Sequence, residues 1–110
     1  MSERRPELLP GTLDMLILKT LARGQNHGYG IAQYIHRVSQ DALRIGEGSL
    51  YPALQRLLVN EWVKAEWGTS ESGRQVRIYR ITTGGRKQLA EEQKSFDAII
   101  AGIARVMEAS

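Results

Sequence analysis

The chain has 110 residues, of which 42% are hydrophobic and 25% charged, and it contains no cysteine. That length supports one domain with a modest core, and the composition excludes wholesale disorder, disulfide stapling and thiolate metal sites. The formal charge of +3 is unevenly placed, because residues 42–87 carry eight basic against four acidic side chains while residues 88–110 carry two against four. A polyanion would meet the middle of the chain, although a basic face can also be merely solvated. No apolar run approaches the ~20 residues of a membrane span and no secretory stretch opens the chain, so the expected location is cytoplasmic, with no membrane partner.

Residues 1–8 are polar and contain a proline, which predicts an arm of low intrinsic order. After Pro10-Gly11, the spacing of Leu13, Leu16, Ile17 and Leu21, widened by Met15 and Leu18, predicts a helix that Gly24, Gln25 and Asn26 end. A second helix starts between His27 and Gly30, with Ile31, Tyr34, Ile35 and Val38 on one face. Arg44 to Gly48 reads as a connector. Ser49 is then the expected N-cap of a third helix, and Pro52 falls in a first turn where its missing amide costs little. Leu50, Leu54, Leu57 and Leu58 face inward, which leaves Tyr51, Gln55, Arg56 and Val59 outward. A phenol, an amide and a guanidinium side by side suit phosphates and base edges, though Tyr51 could equally pack at a domain edge.

Trp62 to Trp67 alternates, with Val63, Ala65 and Trp67 on one side, and Arg77 to Thr82 forms a second extended segment. The polar run from Gly68 to Gln75 between them predicts a hairpin with a flexible tip carrying Arg74, placed where a wing follows a polar-faced helix. Arg74 and Arg77 suit an anionic partner, with plain solvation as the other reading. From about Thr82 or Thr83 the tail is a long helix whose seam runs Leu89, Gln93, Phe96, Ile100, Ile103 and Met107. Steps of four and three residues make this a heptad seam, and at this chain length a second subunit is the best cover for it.

Catalytic and metal chemistry find little support. No phosphate-loop signature is present, Ser49 has no adjacent histidine base, and His27 and His36 stand nine positions apart with no thiols to join them. The expectation is a protein that is not an enzyme and holds no metal or cofactor.

The pattern resembles the PadR family of transcriptional regulators over about residues 8–107. The resemblance begins with Leu13 to Leu21 and His27-Gly28-Tyr29-Gly30-Ile31, and its most specific element is Gly48-Ser49-Leu50-Tyr51-Pro52-Ala53-Leu54 followed by Glu61-Trp62-Val63. Tyr79-Arg80-Ile81-Thr82 and Gly85-Arg86 complete it, while Gln75 and Val76 stand where the family carries a more basic stretch. It implies a mainly α fold with a small β-hairpin, a winged helix-turn-helix over residues 8–82, and a C-terminal dimerisation helix over 83–108 packed with the first helix. It places Ser49, Tyr51, Pro52, Gln55 and Arg56 in or beside the major groove, with Arg74 and Arg77 reaching from the wing. Leu13 joins the tail seam in the implied dimer interface. The short tail resembles a subgroup that includes binders of planar aromatic compounds, for which Phe96 is the leading contact. The expected function is a homodimeric repressor of double-stranded DNA with an inverted-repeat operator, released by a small aromatic effector. The rival is a winged-helix module that recognises a protein partner.

Overall fold

A helix that is apolar on most of its circumference has to be enclosed by its neighbours, and the first helix is such a helix. In the computed structural model, which describes residues 10–109, α1 spans Pro10–Arg23 and buries Leu13, Met15, Ile17, Leu18, Thr20 and Leu21. Thr20, the one buried polar side chain among the described residues, donates its hydroxyl proton to the Leu16 carbonyl at 2.8 Å. The arm expected at residues 1–8 and the domain boundary at Leu8 lie outside the described residues.

Around α1 stand β1 (Asn26–His27), α2 (Gly28–Val38), α3 (Glu47–Val59), β2 (Val63–Thr69), β3 (Gln75–Ile81) and α4 (Thr83–Glu108). α1 touches α2, α3, α4 and β3. The hairpin and the tail helix fall where the sequence predicts them. β1 was not expected: its two residues have no periodicity and become a strand only by pairing Asn26 with Tyr79 and His27 with Ile78. The antiparallel sheet therefore has three strands in the order β1-β3-β2.

Local chemistry sets the element ends. The N-cap of α2 is His27, whose Nδ1 accepts from the Gly30 amide at 3.0 Å. Val38, expected on the inner face of α2, is exposed, because the helix ends there and the chain turns away through Gln40 and Asp41, both at positive φ. α3 begins earlier than Ser49 suggests: Gly46 is its N-cap, without a side-chain bond, and Glu47 and Gly48 belong to the helix. Ser49 is thus the third helical residue, and Pro52 lies inside the helix, where its ring leaves the Gly48 carbonyl without the usual helical donor. The inner face is Leu50, Ala53, Leu54 and Leu57, with Leu58 half-buried.

In the hairpin, Val63 pairs with Ile81, Ala65 with Tyr79 and Trp67 with Arg77. Side chains alternate between faces, so these six share one face. Val63 and Tyr79 reach the core, whereas Trp67 is exposed because the hairpin runs on beyond the helices that would cover it. The tip is shorter and more bonded than its composition suggests. Ser70 and Arg74 exchange bonds, the Gly73 amide donates to the Ser70 carbonyl at 2.9 Å, and Gly73 takes φ +82°, where glycine is favoured.

α4 is fastened to the base of the hairpin by Thr82. Its hydroxyl donates to the Glu61 carbonyl at 2.8 Å and accepts from the Gly85 amide at 3.0 Å, while its own amide donates to the Trp62 carbonyl at 3.0 Å. Gly85 lets the helix approach this closely, since a Cβ there would lie 2.1 Å from the Trp62 carbonyl oxygen and 2.8 Å from Ile81 Cγ1. A backbone oxygen cannot swing aside. Gly85→Ala should therefore destabilise the fold by about 2–3 kcal/mol, read as a lower urea midpoint at unchanged slope. Gly84→Ala, whose Cβ would meet nothing nearer than 3.7 Å, is the control expected to keep the midpoint within about 0.5 kcal/mol of the parent.

Candidate nucleic-acid interface

With α3 anchored on α1 by its leucines, the opposite side of the helix is left to solvent. Ser49, Tyr51, Pro52, Gln55, Arg56 and Val59 are all exposed there. The structure thus brings the five sequence-predicted residues of this helix onto one surface. Both readings of Tyr51 hold in part: its ring lies across the first turn of α2, where a Cβ on Gly28 would be 3.2 Å from its Cε1, yet the side chain remains 47% exposed. The absence of a side chain at Gly28 makes room for that ring.

Arg56 differs from its neighbours. Its Nη2 donates to Asp14 Oδ1 at 2.8 Å and its Nε to Oδ2 at 3.4 Å, so the guanidinium bridges α3 to α1 across 42 residues of sequence. The hydrogen bond to Asp14 raises the Arg56 pKa above its ordinary value, against the smaller opposing effect of burial. The cation expected at the groove is therefore also paired with a carboxylate of the neighbouring helix, while 42% of its side chain stays exposed.

The wing supplies the second part of the surface. Arg74 projects from the tip and Arg77 from β3, and both are exposed. The Arg77 guanidinium carbon lies 6.0 Å from the centre of the Trp67 ring and 5.9 Å from that of Tyr79, so one cation faces two aromatic rings. Burial pushes the Tyr79 phenol above its ordinary pKa, Arg77 pulls it back, and nearby Tyr51 adds a small push upward. Lys64, Arg74, Arg77 and Arg80 outnumber Glu66 and Glu71 across the two strands and tip. A helix exposing polar side chains, flanked by a basic hairpin, can lie against a polyanion and read its grooved surface.

The residues assigned to the tail seam divide into two groups. Leu13 and Leu89 are buried in the chain's own core, which corrects their assignment to a surface shared with another subunit. Gln93, Phe96, Ile100, Ile103 and Met107 are exposed, joined by Ile99 and Val106. Phe96 lines an open cleft of about 230 Å³ between α1 and α4, with Met15, Glu92, Ser95 and Ile99. Among the described residues, no cluster of His, Asp and Glu could hold a metal ion, and no helix is long and apolar enough to cross a membrane.

A helix-turn-helix whose second helix is exposed beside a basic β-hairpin defines a winged-helix DNA-binding protein. Residues 17–91 match the model of the transcriptional regulator PadR-like family. The chain is 33% identical over 92 residues to Uncharacterized protein X of Lysinibacillus sphaericus, a match covering 84% of each protein. It is 31% identical over 83 residues to transcriptional regulator Rv3488 of Mycobacterium tuberculosis, covering 76% of this chain and 74% of that one. A solved transcriptional regulator from Clostridium thermocellum superposes with a TM-score of 0.79 at 29% identity, covering 86% of this chain and 92% of the other. The chain belongs to the PadR-like family, and it is a DNA-binding transcriptional regulator.

The bridge between Asp14 and Arg56 generates a direct test. In a double-mutant cycle of Asp14→Asn and Arg56→Gln, measured by urea denaturation, the coupling should be about 0.5–1 kcal/mol, the range of a partly exposed ion pair. Additive effects would show that Arg56 is free to serve the outer surface alone.

Proposed function

We propose that the chain represses transcription as a homodimer bound to an inverted-repeat operator, and that a small planar aromatic compound releases it. The observation that carries the reading is the exposure of α4. Phe96, Ile100, Ile103 and Met107 recur at heptad spacing and are 36%, 47%, 52% and 77% exposed, an apolar stripe of a kind that α-helices cover with a second copy. A twofold pair of recognition helices matches two half-sites about 34 Å apart. In this reading Ser49, Tyr51, Pro52 and Gln55 address the groove, Arg74 and Arg77 the backbone beside it, and Arg56 sets the helix's orientation. The cleft at Phe96 is small for an aromatic ligand and would enlarge if a partner's tail closed its open side, since small-molecule sites usually span about 300–1,000 Å³. Arg74 and Arg77 favour DNA over a protein partner for this face, because a wing rich in arginine is suited to phosphate.

Truncation after Glu92 removes the exposed part of the stripe and should convert the dimer into monomers by light scattering. A stable dimer would overturn the assignment of the stripe. Arg74→Ala should weaken binding to the chain's own upstream DNA while preserving the dimer, and it should make the logarithmic salt dependence shallower by about one. Unchanged affinity at matched salt would remove Arg74 from the interface. Release by planar aromatic compounds should appear as a saturable shift in melting temperature accompanied by loss of the DNA complex.

A further inference from the structure

Trp67 is large, apolar and 67% exposed, on a hairpin whose other exposed residues are mostly charged or small. None of the described residues covers it. It is nevertheless placed with some care: it sits directly across from Arg77 in the β2–β3 register, with the guanidinium 6.0 Å from its ring. Arg77 in turn lies 5.9 Å from the ring of Tyr79, whose side chain is buried in the core. Trp67 and Arg77 therefore form an exposed pair of ring and cation on the wing, with the buried Tyr79 ring behind the guanidinium. Whatever lies against this face of the wing meets the indole and the guanidinium together.

We propose that Trp67 is a DNA-contacting residue of the wing, its indole laid on the apolar sugar edge of the strand beside the recognition groove and held at that angle by Arg77. The inference rests on the reading of α3 and the hairpin as the DNA surface. The charge of the hairpin selects this occupant: it carries four basic side chains against two acidic ones, with Arg77 on the same face as the indole, which favours a polyanion that also offers apolar faces, as deoxyribose does. A cross-strand cation over the ring limits its motion, so less ordering remains to be done on binding. The exposed stripe on α4 lacks this cationic setting, since residues 88–110 carry two basic against four acidic side chains.

The indole is uncharged, and that separates its contribution from a phosphate contact. Burying about 60 Å² of it corresponds, at the usual free energy per unit of apolar area, to about tenfold in affinity with no change in salt slope. Loss of a phosphate contact instead weakens binding and flattens the slope by about one. The experiment is fluorescence anisotropy of the full chain on a labelled duplex of its own upstream region, across a salt series, for the parent, Trp67→Ala, Trp67→Phe and Arg77→Gln. Trp67→Ala should bind about tenfold more weakly at unchanged slope, and Trp67→Phe should lie between it and the parent. Tryptophan emission supplies a readout independent of folding in the alanine variant: DNA should change the parent's emission and leave that of Trp67→Phe, which retains only Trp62, almost unaltered. A parent that binds DNA while Trp67→Ala binds within twofold of it would overturn the inference and leave the regulator intact. Failure of the parent to bind would bring down the DNA surface itself. Weaker binding accompanied by a lower melting temperature is decided by the emission comparison, where equal changes in the parent and Trp67→Phe would overturn the contact.

Discussion

The enclosure of α1 is the constraint on which the other elements depend. Ile17 and Leu18 are wholly buried, and the apolar residues around them leave the helix little surface that could face water. α2, α3, α4 and β3 each supply part of the cover. Because α3 serves by burying Leu50, Ala53, Leu54 and Leu57, its outward side is determined by subtraction. The face proposed to meet DNA is the one that hydrophobic burial leaves over, and its direction cannot change without disturbing the core.

Periodicity made much of this legible. The inner face of α3, the hairpin and the start of α4 follow from spacing, because each buries a regular set of apolar residues against one neighbour. What was missed has no such spacing. β1 exists only through its partners in β3, and α3 is capped by Gly46, whose lack of a side chain hides the boundary from composition. The bond from Arg56 to Asp14 joins positions 42 apart and leaves no local trace. Leu13 and Leu89 fit the seam by spacing but belong to the inner core, a difference that depends on which neighbouring element covers each position. Alternation puts Trp67 on the face of Val63 but leaves its burial open, because alternation says nothing about where the covering helices end.

Electrostatics acts on this frame in two ways. The bridge to Asp14 ties the exposed Arg56 guanidinium across to α1, whereas Arg74 and Arg77 on the wing are exposed without such a bridge to the helices. Three arginines in a basic stretch thus have different uses, set by what lies within reach of each guanidinium. The tail is the converse case: its net charge is negative and its exposed stripe apolar, so it is poorly suited to the surface that the wing fits. The two proposed roles, reading DNA and meeting another subunit, thus fall on opposite kinds of surface.

The hydroxyl of Thr82 joins those two surfaces. It gives its proton to the end of the α3–β2 turn and receives one from the first turn of α4, so tail and wing share a single oxygen as their pivot. Gly85 presses the helix onto the Trp62 carbonyl beside that pivot and leaves no slack. Tail and hairpin root therefore meet at one tightly packed, hydrogen-bonded junction, and Arg74 stands at the opposite end of β3 from it.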